Sequence, residues 1–224
     1  MIGPAINRLS GELQARLLEL YALDHVADVR CFMTTDRALV HTLEGAAHRP
    51  ANEKLLIAQE ADELFVSLFL DPELLERLAR EYPRQGVTHA TVADFWDLAE
   101  GVSHFTLLAW SAAHAREVSA LELELQAEID KFVLAALAAR AERPGHVLLP
   151  LHRLQFTCTT LDPLLTPAER ERYATANRYA ARYCLALASR LGGAQRSECL
   201  AELRRFYRLP RGEKLRHIAA ATPA

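Results

Sequence analysis

Thr91–Arg116, TVADFWDLAEGVSHFTLLAWSAAHAR, reads as one long helix whose circumference is apolar except for a thin stripe. Asp97, Glu100, His104, Ser111 and His114 follow one another at intervals of three, four, seven and three residues. At about 3.6 residues per turn these intervals keep the five polar side chains near one line of the helix, while Phe95, Leu98, Val102, Phe105, Ala109 and Trp110 fill the rest. A helix that is apolar on so many sides belongs at the centre of a helical assembly. Its stripe is then either a solvated edge or the wall of a site.

Outward from this segment, helix punctuation is dense. Asp71-Pro72-Glu73 supplies an N-cap, a proline at the first helical position and an acid in the first turn, and Pro83 and Gly86 stop the helix that follows. Thr91 with Asp94, Ser119 with Glu122, and Thr166-Pro167 with Glu169 read as capping boxes or their Asp variant. Gly192-Gly193 and Pro210 mark later breaks. These signals predict helices over about 5–23, 35–46, 52–70, 72–82, 92–116, 120–142, 167–191, 195–208 and 211–220. Val29–Met33 and Val147–Leu151 are the best strand candidates, and both are short enough to be extended connectors. The expected fold is all-α, a single-domain bundle of about eight or nine helices spanning 1–224. The proline-rich stretch 143–163 is expected to be irregular, and could divide an N-terminal bundle from a C-terminal helical hairpin.

Composition narrows the function classes. Half of the 224 residues are hydrophobic, enough for a sizeable core without staples. A net charge of −3 offers no global field for nucleic acid or an acidic membrane surface. Cys31, Cys158, Cys184 and Cys199 lack zinc-type or C-x-x-C spacing and read as reduced. With neither a signal-like start nor a membrane-length apolar run, a cytoplasmic location is expected. From Arg196 to His217, seven Arg or Lys stand against three Glu. This basic end is expected to dock on the acidic Glu117–Asp130 region of its own chain.

Candidate chemistry centres on the stripe. Glu100 and His104 are neighbours on successive turns, so the carboxylate can orient the imidazole and raise its pKa, as a general base or a metal ligand requires. On the next helix Glu128 lies one step from the centre of the apolar face, and is the carboxylate expected to turn inward, with Glu122 and Glu124 at the margins. Asp97, Glu100, His104, Ser111, His114 and Glu128 therefore form the candidate pocket, and Glu100, His104 and Glu128 the candidate metal ligands. Ferritin-like di-metal bundles use Glu-x-x-His twice, and the sequence has no Glu-x-x-His. Heme-oxygenase-like di-iron proteins use a looser set that includes an acid-x-x-x-His pair. Glu100-Gly-Val-Ser-His104 has that spacing, and further ligands would come from Glu60, Glu63, Glu128 or His152. Tyr173, Tyr179 and Tyr183 beside Arg172, Arg178 and Arg182 could hold an anionic ligand.

Two functions follow as expectations. One is a binding or adaptor protein for a small ligand or a protein partner, with no cofactor. The alternative is a metal-dependent enzyme of heme-oxygenase-like or ferritin-like kind, with iron or manganese held between two central helices. No glycine-rich phosphate loop, G-x-S-x-G or H-E-x-x-H is present to support nucleotide, serine-hydrolase or zincin chemistry.

Overall fold

The computed structural model describes residues 2–45, 50–61, 63–138, 144–158, 161–191 and 196–220. In chain order these form α1 (Pro4–Tyr21), a 3-10 turn (Val29–Cys31), β1 (Met33–Thr34), α2 (Arg37–Glu44), β2 (Glu53–Glu60), β3 (Glu63–Leu70) and α3 (Pro72–Gln85). The remainder is helical: α4 (Val92–Ala113), α5 (Ala120–Ala138), α6 (Pro144–Thr157), α7 (Pro167–Leu191), α8 (Arg196–Arg208) and α9 (Arg211–Ala220). The protein is predominantly helical, as expected. Gly192-Gly193 lies outside the described residues. Among the described residues no helix is long and apolar enough to cross a membrane.

Local capping explains several helix starts. Asp71 accepts from the Glu73 and Leu74 amides, and Thr166 and Glu169 exchange the reciprocal bonds of a capping box. Thr91 behaves differently from expectation. Its hydroxyl turns back to the Gly86 carbonyl, and Asp94 pairs with Arg77 of α3 instead of closing a box. A charged fork on a neighbouring helix outcompetes the local backbone amide.

Two segments depart from the sequence reading. The helix expected over 52–70 is a β-hairpin, with β2 and β3 antiparallel from Glu53↔Leu70 to Glu60↔Glu63, and β1 pairing in parallel on the other side of β3. Leu64–Leu70, LFVSLFL, is a short apolar run of aromatic and branched residues suited to a buried strand. It imposes its conformation on the helix-favouring Glu53–Glu60. The irregular stretch expected over 143–163 contains α6, which also absorbs the strand candidate at Val147–Leu151. Pro144 sits at the helix start, where its missing amide is harmless, and Pro150 is tolerated inside because α6 packs between α5 and α7.

One continuous core runs from Ile6 of α1 to Ile218 of α9, with α4 at its centre against α5, α1, α3 and the sheet. One face of the hairpin root lies on α4 and the other carries Leu56 and Phe69 against Val40 of α2. Gly101 permits this approach: a Cβ there would stand 2.8 Å from Leu68 Cδ1 and 2.9 Å from Glu53 Oε2. The outer half of the hairpin extends past the core and leaves Ile57, Leu64 and Phe65 exposed.

The basic C-terminus docks internally. Arg204 and Arg208 of α8 donate to the last carbonyls of α1, at Glu19, Leu20, Tyr21 and Ala22, where cations complement the helix end. Lys214 of α9 is fully buried, 3.0 Å from Gln126 Oε1 and 3.3 Å from Glu122. Gln126 in turn donates to Asp130 at 2.9 Å, and Asp130 also accepts from Ser103 at 2.5 Å and from the Tyr21 hydroxyl. This closed polar layer ties α1, α4, α5 and α9 together.

Candidate functional site

Beneath the hairpin root, three elements bring titratable groups together. β2 supplies Glu53, α4 supplies Asp97, Glu100 and His104, and α5 supplies Glu124. They line the floor of a cleft of about 750 Å³, walled by β2, the start of α5, residues 161–165 and the start of α7 with Arg172 and Tyr173. His104 is 7% exposed, so its ring is held inside the fold. Its Nδ1 lies 3.7 Å from Glu53 Oε1 and its Nε2 lies 3.6 Å from Glu124 Oε2. Both separations exceed a hydrogen bond, and His104 Nε2 and Glu53 Oε2 are buried without a hydrogen-bond partner.

Ligand atoms of Glu53, Glu100 and His104 all lie within 4.8 Å of one another. Donors around a small divalent ion, at bonds of about 2.1 Å, stand about 3.0–3.4 Å apart. A modest contraction of two flexible Glu side chains would therefore close the set on a cation. On the outer side of Glu100 the position is already filled: Lys131 Nζ lies 2.7 Å from Glu100 Oε2 and 2.6 Å from Glu128 Oε1.

The electrostatics follow from burial and crowding. Burial pushes the Glu53 carboxyl up to about 8 against the pull of His104, and the nearby Glu100, Glu124 and Asp97 add to the rise. Asp97 is raised to about 6, again by burial, although Asn52 donates to it at 2.7 Å. His104 moves to about 9: burial opposes its charge, but Glu124, Glu53 and Glu100 more than offset that. Burial acts against the Glu100 carboxylate too, yet Lys131 and His104 hold it below its ordinary value. Buried carboxylates and an imidazole shifted this far mark a candidate functional site.

Of the six residues singled out in the sequence, Asp97, Glu100 and His104 line this cleft. Ser111 is buried farther along α4 and accepts from Arg116 at 3.1 Å. His114 sits at the exposed end of the helix, with Nδ1 2.8 Å from the Trp110 carbonyl. Glu128 faces Lys131 and Gln155. Of the other proposed ligands, His152 meets the Ala181 carbonyl at 2.8 Å, while Glu60 and Glu63 lie at the exposed hairpin tip. Glu53 and Glu124 are the contributors that the sequence reading missed. Glu53 was hidden by the helix assigned to its segment, and the apolar run Leu64–Leu70 was the available signal for a strand pair.

The chain has three lysines, and each is engaged by glutamate: Lys54 by Glu44, Lys131 by Glu100 and Glu128, Lys214 by Glu122. The four cysteines are not joined in disulfides. No protein-family model, curated protein or solved structure matches the chain.

Proposed function

We propose that this protein binds one divalent manganese or iron ion through Glu53, Glu100 and His104, with Glu124 within reach as a fourth donor, at the floor of a small-molecule cleft. The observation that carries the reading is that ligand atoms of Glu53, Glu100 and His104 lie within 4.8 Å of one another, with His104 Nε2 and Glu53 Oε2 buried and unpartnered. Leaving such atoms unbonded in a core costs about 1–3 kcal/mol each. Imidazole and carboxylate donors without a thiolate suit these metals.

The arrangement favours one ion over two. The Lys131 ammonium lies between Glu100 and Glu128, where a second cation of a di-metal centre would sit. A single ion with an open side toward the cleft could polarise a ligand oxygen or activate water, which is the enzymatic form of this reading. A second reading, an adaptor for a protein partner, draws on the exposed Ile57, Leu64 and Phe65 of the hairpin arm.

Elemental analysis of protein purified without chelator, followed by titration of the apoprotein with Mn²⁺, tests the metal reading. One ion per chain is expected, and it should be lost in His104→Asn while the circular dichroism spectrum is unchanged. A wild-type chain that carries no metal and takes up none on titration would overturn it.

A further inference from the structure

We propose that the cleft above this centre takes a small organic carboxylate with an apolar body, its anionic end received by Arg172 once a cation has drawn Glu124 away. The inference rests on the metal reading above and adds to it a ligand class and an order of binding.

Glu124 stands between the two positive groups of the cleft floor. One of its oxygens is 3.6 Å from His104 Nε2, and the other is 3.5 Å from Arg172 Nε. Neither contact is a hydrogen bond, and Arg172 Nε is buried without an acceptor. Glu124 is therefore shared loosely, and a cation bonded to His104 would compete for it on better terms than a guanidinium at that distance. Arg172 would then lose the carboxylate beside it.

A guanidinium released in this way is a ready anion site. Its planar fork matches a carboxylate, and Tyr173 stands next to it in the same wall, with Arg172 5.1 Å from the centre of its ring. The other cleft cation on this side, Lys54, is already held by Glu44. Without a cation, Glu124 stays beside Arg172 and repels an incoming anion. A cation that takes up Glu124 removes that repulsion, so anion binding follows metal binding.

The remaining walls define the rest of the ligand. Leu55 and Ile57 of β2, Leu123 of α5, and Leu161 and Leu165 before α7 face the same cleft. Its volume, about 750 Å³, is that of a site for a small organic molecule. An apolar body on these side chains and a carboxylate at Arg172 satisfy both kinds of wall.

Octanoate is the probe, titrated calorimetrically into full-length protein with and without saturating Mn²⁺, with bound manganese counted in the same sample. Octanol and octylamine serve as neutral and cationic controls. Octanoate should bind about tenfold or more tightly with Mn²⁺ than without, and more tightly than either control. Arg172→Gln should lose that gain while keeping its manganese, and Glu124→Gln should bind octanoate without Mn²⁺. Manganese-loaded wild type that ignores octanoate, or binds octanol or octylamine as well, overturns the ligand class alone. The same holds if Arg172→Gln binds octanoate as wild type does. Equal octanoate affinity with and without Mn²⁺ overturns the order of binding. Wild type that takes up no manganese overturns the metal reading and the order of binding with it.

Discussion

Two buried polar layers lie along the α4–α5 interface, and they are built on opposite principles. In the layer of Tyr21, Ser103, Gln126, Asp130 and Lys214, each group named lies within hydrogen-bond distance of another. In the layer of Glu53, Glu100, His104 and Glu124, the imidazole stands 3.6–3.7 Å from two of the carboxylates and two buried atoms have no partner. Ser103 and His104 are adjacent on α4, as are Asp130 and Lys131 on α5, so one helix pair carries both layers. A satisfied network specifies packing, whereas an unsatisfied one is poised for something absent. The difference teaches where the fold is held and where it is open to a ligand.

Substitutions can break this contrast. The largest effect is expected for Lys214→Ala, which removes the amine from Glu122 and Gln126 and leaves a cavity against Phe206 and Tyr207. A stability loss of about 3–4 kcal/mol should appear in urea denaturation, and Lys214→Met, which refills the volume, should recover most of it. Next comes a matched pair of carboxyl removals. Asp130→Ala orphans donors from Tyr21, Ser103 and Gln126 and should cost about 2–3 kcal/mol. Glu53→Ala, in the open layer, should change stability by under about 1 kcal/mol, because its buried Oε2 has no hydrogen-bond partner to lose. Equal losses in the two layers would erase the distinction.

The smallest effect is a pH slope. Burial raises Asp130 to about 6 despite its bonds from Ser103, Tyr21 and Gln126, so the folded state holds this proton more tightly than the unfolded chain. The stability it contributes is fully present below its ordinary value of 3.8 and is lost as pH climbs through 6. Burial lowers Lys214 to about 8 against the pull of Glu122, so the penalty it carries is relieved as pH rises from 8 toward its ordinary 10.5. Urea midpoints measured across pH should fall between about pH 4 and 6 in the wild type, and Asp130→Asn should reduce that slope, with Asp97 supplying the remainder.

How much of this was legible from residues alone depends on the range of the interactions. Helix starts at Asp71-Pro72 and Thr166-Pro167 were readable because cap and first turn are neighbours in sequence. Asp97, Glu100 and His104 were readable as one wall because a single helix fixes their spacing. Glu53–Glu60, EKLLIAQE, favours a helix locally and becomes a strand only through its pairing with β3. Glu53 therefore reaches the site by a tertiary contact that no local pattern records. Glu124 reaches His104, and Glu128 does not, because of the rotational setting of α5 against α4. Helical periodicity leaves that angle free.

The engagement of all three lysines has a consequence for the chemistry of the surface. Among the lysine and arginine side chains described, exposed positive charge is carried by guanidinium, while each lysine side chain is at most 16% exposed and lies against glutamate. Amine-directed acylation of these side chains would proceed only as fast as local opening releases them. Lys54, Lys131 and Lys214 thus form three built-in reporters of breathing: at the hairpin root, beside the cleft floor and under the last helix.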